Sequence, residues 1–120
     1  MMKLKTIIKL HMKNITVKEL KEKIERGEKI NLIDVREPHE YEEANMGGKL
    51  FPLNKIQTMQ VEDLEHLKDE EVIVHCRSGH RSMMACHILD QLGFSNTNNL
   101  TGGIDEWKKN YGDARAVQEQ

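Results

Sequence analysis

At 120 residues the chain has room for one hydrophobic core but not for two. Lys and Arg total 18 against 20 Asp and Glu, a net charge of −2, which excludes both a basic stripe for nucleic acid and an acidic disordered block. Two cysteines cannot build the multi-bridge framework of a small secreted domain, and no stretch approaches a membrane span, so a reducing compartment, by default the cytoplasm, is expected.

In residues 1–11, Lys9 and His11 interrupt any signal-peptide core, and the segment reads as an N-terminal extension ahead of a domain over residues 12–111. Thr16-Val17-Lys18-Glu19 has the form of a capping box. Val17, Leu20 and Ile24 supply the apolar stripe of the helix it opens, and Gly27 stops it. Ile30 to Val35 reads as a buried strand with Asp34 near its carboxyl end, the edge where open α/β sheets gather ligands. Asp34 therefore either helps order a ligand loop or serves as a turn carboxylate. Pro38 suits the first turn of a short helix, and Arg36 and Glu40, four residues apart, are expected to pair and fix that turn. Tyr41 and Phe51 read as core aromatics. Leu50 to Leu53 reads as a short strand whose proline points to an edge or a strand end. Val61, Leu64 and Leu67 line one side of a further short helix, with His66 solvated.

The run Val72-Ile73-Val74 predicts a fully buried strand, and Met83 to Gln91 a helix stopped by Gly93. Between them stands Cys76-Arg77-Ser78-Gly79-His80-Arg81-Ser82. Amides opening a helix lack intrahelical partners and carry the positive end of its dipole, so a loop curled there can surround an anionic sulfur with donors. Gly79 permits the curl by accepting positive φ. Arg77 and Arg81 flank the sulfur, and an electropositive site of this kind lowers a thiol from its free pKa of about 8.5. Cys76 is accordingly expected to be a thiolate at neutral pH. A buried packing cysteine is the commoner alternative, but Arg, Ser, Gly, His, Arg and Ser in succession are poor core material. Cys86, two to three turns into the helix, reads as a packing residue, and its place argues against a disulfide with Cys76. Its alternative is a resolving thiol. Six scattered histidines show no metal-ligand spacing, and neither a metal nor a cofactor is expected.

Asn98-Asn99-Leu100 reads as a last strand, Thr101-Gly102-Gly103 as a tight turn, and Ile104 onward as a helix that tucks Trp107 into the core. The tail, residues 112–120, is expected to fray. Strands alternating with helical segments imply an α/β domain, a central parallel sheet flanked by helices on both faces.

Four segments in order resemble the rhodanese-like sulfurtransferases: Asp34 to Tyr41 (Asp-Val-Arg-Glu-Pro-His-Glu-Tyr), Phe51-Pro52-Leu53, the Cys76 loop, and Asn99-Leu100-Thr101-Gly102-Gly103 followed by Trp107. Each alone is a weak signal; as an ordered set spanning most of the chain they are specific. The chain departs from the family at Asn45-Met46-Gly47-Gly48-Lys49, where His-Ile-x-Gly-Ala is common. The resemblance implies the rhodanese-like topology, one active cysteine that shuttles sulfane sulfur, and a Gly102-Gly103 pair that approaches the active loop.

On that reading Cys76 attacks the outer sulfur of a donor such as thiosulfate and passes it on from a persulfide, a ping-pong covalent scheme. Amides of residues 77 to 82 stabilise the anion, Arg77 and Arg81 orient a sulfonate, Ser78 and Ser82 add hydroxyls or cap the helix, and His80 contacts an acceptor or only solvent. The implied partners are a small anionic sulfur donor and, as one form of acceptor, a protein; nucleic acid and membrane are not expected. One rival is a cysteine phosphatase or arsenate reductase, whose loop usually has five residues between Cys and Arg. Here four separate Cys76 from Arg81. A rival of another class is a persulfide carrier or regulatory protein-binding module on the same scaffold.

Overall fold

Buried strands need apolar side chains on both faces, and alternation along each strand deals them to two layers. In a computed structural model of the chain, which describes residues 12–118 and residue 120, Leu32-Ile33 and Val72-Ile73-Val74 in the middle of a five-stranded sheet follow this rule. The elements are β1 (Lys13–Ile15), α1 (Val17–Glu25), β2 (Leu32–Asp34), α2 (Pro38–Glu43), β3 (Lys49–Leu50), α3 (Leu53–Gln57), a 3-10 segment (Glu62–Leu67), β4 (Val72–His75), α4 (His80–Gln91), β5 (Thr97–Leu100) and α5 (Gly103–Tyr111). All neighbouring strands run parallel, in the order β1-β5-β4-β2-β3. The expected extension over residues 1–11 lies outside the described residues. Among the described residues no helix is long and apolar enough to cross a membrane.

From β4, Val72 and Val74 join Ile33 and Val35 of the β2 strip against Ile56 of α3, Leu64 and Leu67 of the 3-10 segment, and Ala85 and Leu89 of α4. The intervening Ile73, with Leu32, packs on the other side against Leu20 of α1 and Ile104 and Trp107 of α5. Helices therefore cover both faces. Burying each large aliphatic side chain contributes about 1.5–3 kcal/mol, so two filled layers justify the central run's lack of polar residues. The α1 capping box forms as expected: Glu19 N donates to Thr16 Oγ1 at 3.0 Å, and Thr16 N to Glu19 Oε1 at 2.9 Å.

Three local expectations are corrected. The edge strand is only Lys49–Leu50, and Leu53 already opens α3; Pro52, at φ −54°, cannot extend a ladder as donor and is shaped for helix entry. Helix α4 begins at His80 rather than Met83, because Gly79, at φ +116°, reverses the chain early enough for His80, Arg81 and Ser82 to form its first turn.

The tail is docked rather than frayed. Ala116 N and Val117 N donate to Met46 O at 2.9 and 3.1 Å, and the Gln120 side chain donates to Ile30 O at 2.6 Å while accepting from Leu32 N at 3.1 Å. Because β3 pairs with β2 only from Ile33 onward, the backbone before it has no strand on that side, and the Gln120 amide takes the strand's place. The departure at Asn45 to Lys49 has its use here. Met46 is buried, and at Gly47 a β-carbon would collide with the Val117 carbonyl.

Candidate active site

Cys76 follows the last residue of β4 directly, and the turn that starts α4 curls around it. The left-handed conformation of Gly79 points its amide back at the sulfur, with Gly79 N 3.1 Å from Cys76 Sγ. The Ser82 hydroxyl lies 3.4 Å from the same atom, and the amides of Ser82 and Ser78 also donate towards it. Burial, which leaves Cys76 1% exposed, pushes the thiol up. The Ser82 hydroxyl and the amides of Ser82, Gly79 and Ser78 together outweigh that, so its pKa falls below the ordinary thiol value. A negative sulfur is therefore held by directed neutral donors more than by the flanking cations.

The loop's other side rests on the Gly102-Gly103 turn. Ile104 N donates to Cys76 O at 3.0 Å and Asp105 N to Arg77 O at 3.1 Å, so the free amides of the first turn of α5 hold the loop's carbonyls. Gly103 makes the approach possible, since a β-carbon there would stand 2.5 Å from Cys76 O and 2.6 Å from Arg77 O.

The charged residues are arranged differently from the sequence expectation. Arg36 does not pair with Glu40. Its guanidinium closes on Asp34, with Nε at 3.0 Å from Oδ1 and Nη2 at 2.8 Å from Oδ2, and also donates to Ala44 O at 2.8 Å. Asp34 is fully buried, and its carboxylate also accepts from Arg36 N, which ties it to its own turn rather than to the Cys76 loop. Oδ2 of Asp34 lies 3.6 Å from Nε2 of His75, whose Nδ1 is 3.2 Å from Cys76 O. Burial holds the His75 pKa below the ordinary value, leaving a neutral ring beneath the loop at neutral pH.

Glu40 instead binds Arg81 across the site, at 2.7 Å from Nη1 to Oε1 and 2.9 Å from Nη2 to Oε2. Arg81 is thus committed to a carboxylate, against the expectation that it faces an incoming sulfonate. Arg77 remains at the surface, its side chain 72% exposed and 3.7 Å from Asp105. Ser78 and His80 are exposed beside it. Of the loop residues, Ser78, Gly79 and Ser82 address the sulfur, whereas Arg77, His80 and Arg81 do not reach it through a described hydrogen bond.

Sequence reasoning gave Asn99 no part at the site. It is 2% exposed in β5, and its Oδ1 accepts from Ser82 Oγ at 2.5 Å. A signal existed, since Thr97, Asn98 and Asn99 are three polar residues in a strand buried along its whole length. Cys86 is buried in α4, and burial, then Asp90 and Cys76, push its thiol up to about 12, consistent with a packing residue. Among the described residues no group of three His, Cys, Asp or Glu is placed to hold a metal ion.

The Rhodanese-like domain family model matches residues 16–110. Over 99 residues the chain is 39% identical to the putative sulfurtransferase YtwF of Bacillus subtilis, covering 82% of this chain and 93% of that protein. It is 33% identical over 94 residues to the putative sulfur carrier protein YrkF of the same organism, covering 78% of this chain and 49% of the relative. A crystal structure of a rhodanese-like domain protein from Staphylococcus aureus superposes with a TM-score of 0.69 at 30% identity, over 80% of this chain and 91% of that one.

Proposed function

The chain belongs to the rhodanese-like domain family, and from that premise we propose that it is a sulfurtransferase that moves sulfane sulfur from a donor such as thiosulfate to a thiophilic acceptor through a persulfide on Cys76. The carrying observation is the convergence of the Gly79 amide and the Ser82 hydroxyl on Cys76 Sγ. In the first half-reaction the Cys76 thiolate attacks the outer sulfur of thiosulfate. A new S–S bond forms, the old one breaks, and sulfite leaves with its electron pair. In the second, an acceptor nucleophile takes the outer sulfur and Cys76 departs as a thiolate. If the sulfur is ionised before it attacks, no separate base is needed, and the donors that lower the Cys76 pKa favour that state.

The persulfide's terminal sulfur carries the negative charge in place of the thiolate, and the ring of donors at residues 78, 79 and 82 is suited to it. Arg77, exposed beside the loop, is the cation positioned to attract an anionic donor, whereas Arg81 braces the ring through Glu40. The four-residue gap from Cys76 to Arg81 favours a single sulfur over a tetrahedral phosphate. A reducing compartment such as the cytoplasm suits the two free cysteines.

Intact-mass spectrometry after incubation with thiosulfate tests the assignment. The wild type should gain the mass of one sulfur atom, and Cys76→Ser nothing. A wild-type protein that alkylates at Cys76 but never acquires sulfur would overturn it. The relative named as a sulfur carrier supports a second reading, a persulfide carrier served by proteins. Slow thiosulfate turnover with fast transfer from a protein persulfide would identify that role.

A further inference from the structure

Ser82 has one hydroxyl proton and three acceptors around it: Cys76 Sγ at 3.4 Å, Gly79 O at 3.1 Å and Asn99 Oδ1 at 2.5 Å. Behind it, Asn99 Nδ2 donates to Asn14 Oδ1 at 3.3 Å, the two asparagines standing opposite each other in the β1–β5 register. While Cys76 is a thiol this chain is consistent from end to end. The S–H donates to Ser82 Oγ, the hydroxyl donates to Asn99, and the Asn99 amide donates to Asn14. An ionised sulfur has no proton to give and needs one pointed at it. Ser82 can turn its hydroxyl to the sulfur only by leaving a buried carbonyl oxygen of Asn99 without a donor, which is costly.

Half a turn of the Asn99 amide removes the conflict. Its Nδ2 then donates to Ser82 Oγ, the hydroxyl proton points at the sulfur, and Oδ1 accepts from the exposed Asn14 amide turned the same way. Amide oxygen and nitrogen have nearly the same size, so the turn changes hydrogen bonding and not packing. We infer that Asn99 is a positioning residue for Cys76, and that its amide reverses the direction of the Asn14–Asn99–Ser82–Cys76 hydrogen-bond chain when the sulfur becomes an anion. The proton lost from sulfur goes to solvent, and every other member keeps its own hydrogens. The inference rests on the reading that Cys76 works as an anion, and the same reversal serves the persulfide.

Charged and titratable groups stand around the loop: Arg81 of α4, paired with Glu40 of α2, the Asp34–Arg36 pair at the end of β2, His75 at the end of β4, and Cys86 within α4. They act by charge, whereas Asn14, Asn99 and Ser82 are neutral. The experiment therefore reads hydrogen-bond direction.

In 15N-labelled wild-type protein, the side-chain NH2 resonances of both Asn99 and Asn14 should move with pH at the midpoint found for Cys76 alkylation by iodoacetamide. In Ser82→Ala, which breaks the chain while removing only an oxygen, the Asn14 response should vanish. A second measurement uses Asn99→Asp, whose carboxylate accepts but cannot donate. Its slowing of Cys76 alkylation at pH 7 should be at least about threefold greater with Ser82 present than in the Ser82→Ala background, a coupling that charge alone would not produce. Asparagine resonances that stay still through the Cys76 midpoint, or equal slowing in the two backgrounds, would overturn the inference and leave the sulfurtransferase reading intact. An ordinary free-thiol midpoint for wild-type Cys76 would instead remove the anion that both require.

Discussion

Arg81 on α4 and Glu40 on α2 meet through two hydrogen bonds of 2.7 and 2.9 Å, although 41 residues separate them. The pair fastens the first turn after the Cys76 loop to the helix that follows β2. Glu40 also accepts from Glu37 N at 2.9 Å, so the same carboxylate closes the start of its own helix. A guanidinium available in sequence as a substrate cation has become a brace.

That brace has a pH signature. The Arg81 guanidinium holds the Glu40 carboxyl, ordinarily near 4.5, at about 2, against the opposing effect of burial. The unfolded chain takes up this proton near 4.5 and the folded one only near 2. Stabilisation is therefore complete above 4.5 and lost as pH falls towards 2. Arg81 is 35% exposed, so solvent screens the pair to about 1 kcal/mol. Glu40→Gln should lower stability by that amount at pH 7 and by much less near pH 2. Urea midpoints across this range check it, and parallel acid limbs for wild type and variant would exclude the pair as the cause.

Gly103→Ala should damage the site out of proportion to its size. At φ +58° its new methyl would press on the carbonyls of Cys76 and Arg77, at a cost of about 2–4 kcal/mol. Gly27→Ala is the control, with φ +76° and open space around the β-carbon, costing about 1 kcal/mol. Thermal unfolding should rank the two in that order, and sulfur transfer should collapse only in the Gly103 variant.

Cys86→Ser should leave turnover unchanged, because a thiol pushed up to about 12 stays protonated at neutral pH, whereas that of Cys76 is lowered. Alkylation of the folded wild type should correspondingly stop at one site, Cys76. Peptide mapping showing equal labelling of both cysteines in the folded protein would contradict this account.

Gln120→Ala should cost about 1–2 kcal/mol, since the side chain bridges Ile30 O and Leu32 N beside the short β3 edge. Hydrogen exchange at Leu32 should quicken, while the midpoint of Cys76 alkylation stays where it was. Unaltered exchange would mean that the backbone finds another partner without Gln120.

What was legible in the sequence was what neighbours along the chain control. The capping box at Thr16 and Glu19, the run from Val72 to Val74 and the curl at Gly79 each depend on residues a few positions apart, and each is found as read, as is the close approach of Gly102-Gly103 that the family resemblance implied. Partner choice was not legible. Arg36 had Asp34 and Glu40 at comparable sequence distance, and the decision came from α4, which carries Arg81 to Glu40 once β4 lies beside β2.

The same division runs through the sulfur site. Local backbone geometry determined that Cys76 would face amides, because φ at Gly79 sets where the next few N–H groups point. Only the tertiary structure decided that Ser82 would act with Asn99 at its back and that the tail would complete β2. Those contacts join residues 17 and about 90 positions apart, and only the strand order brings them within hydrogen-bond range.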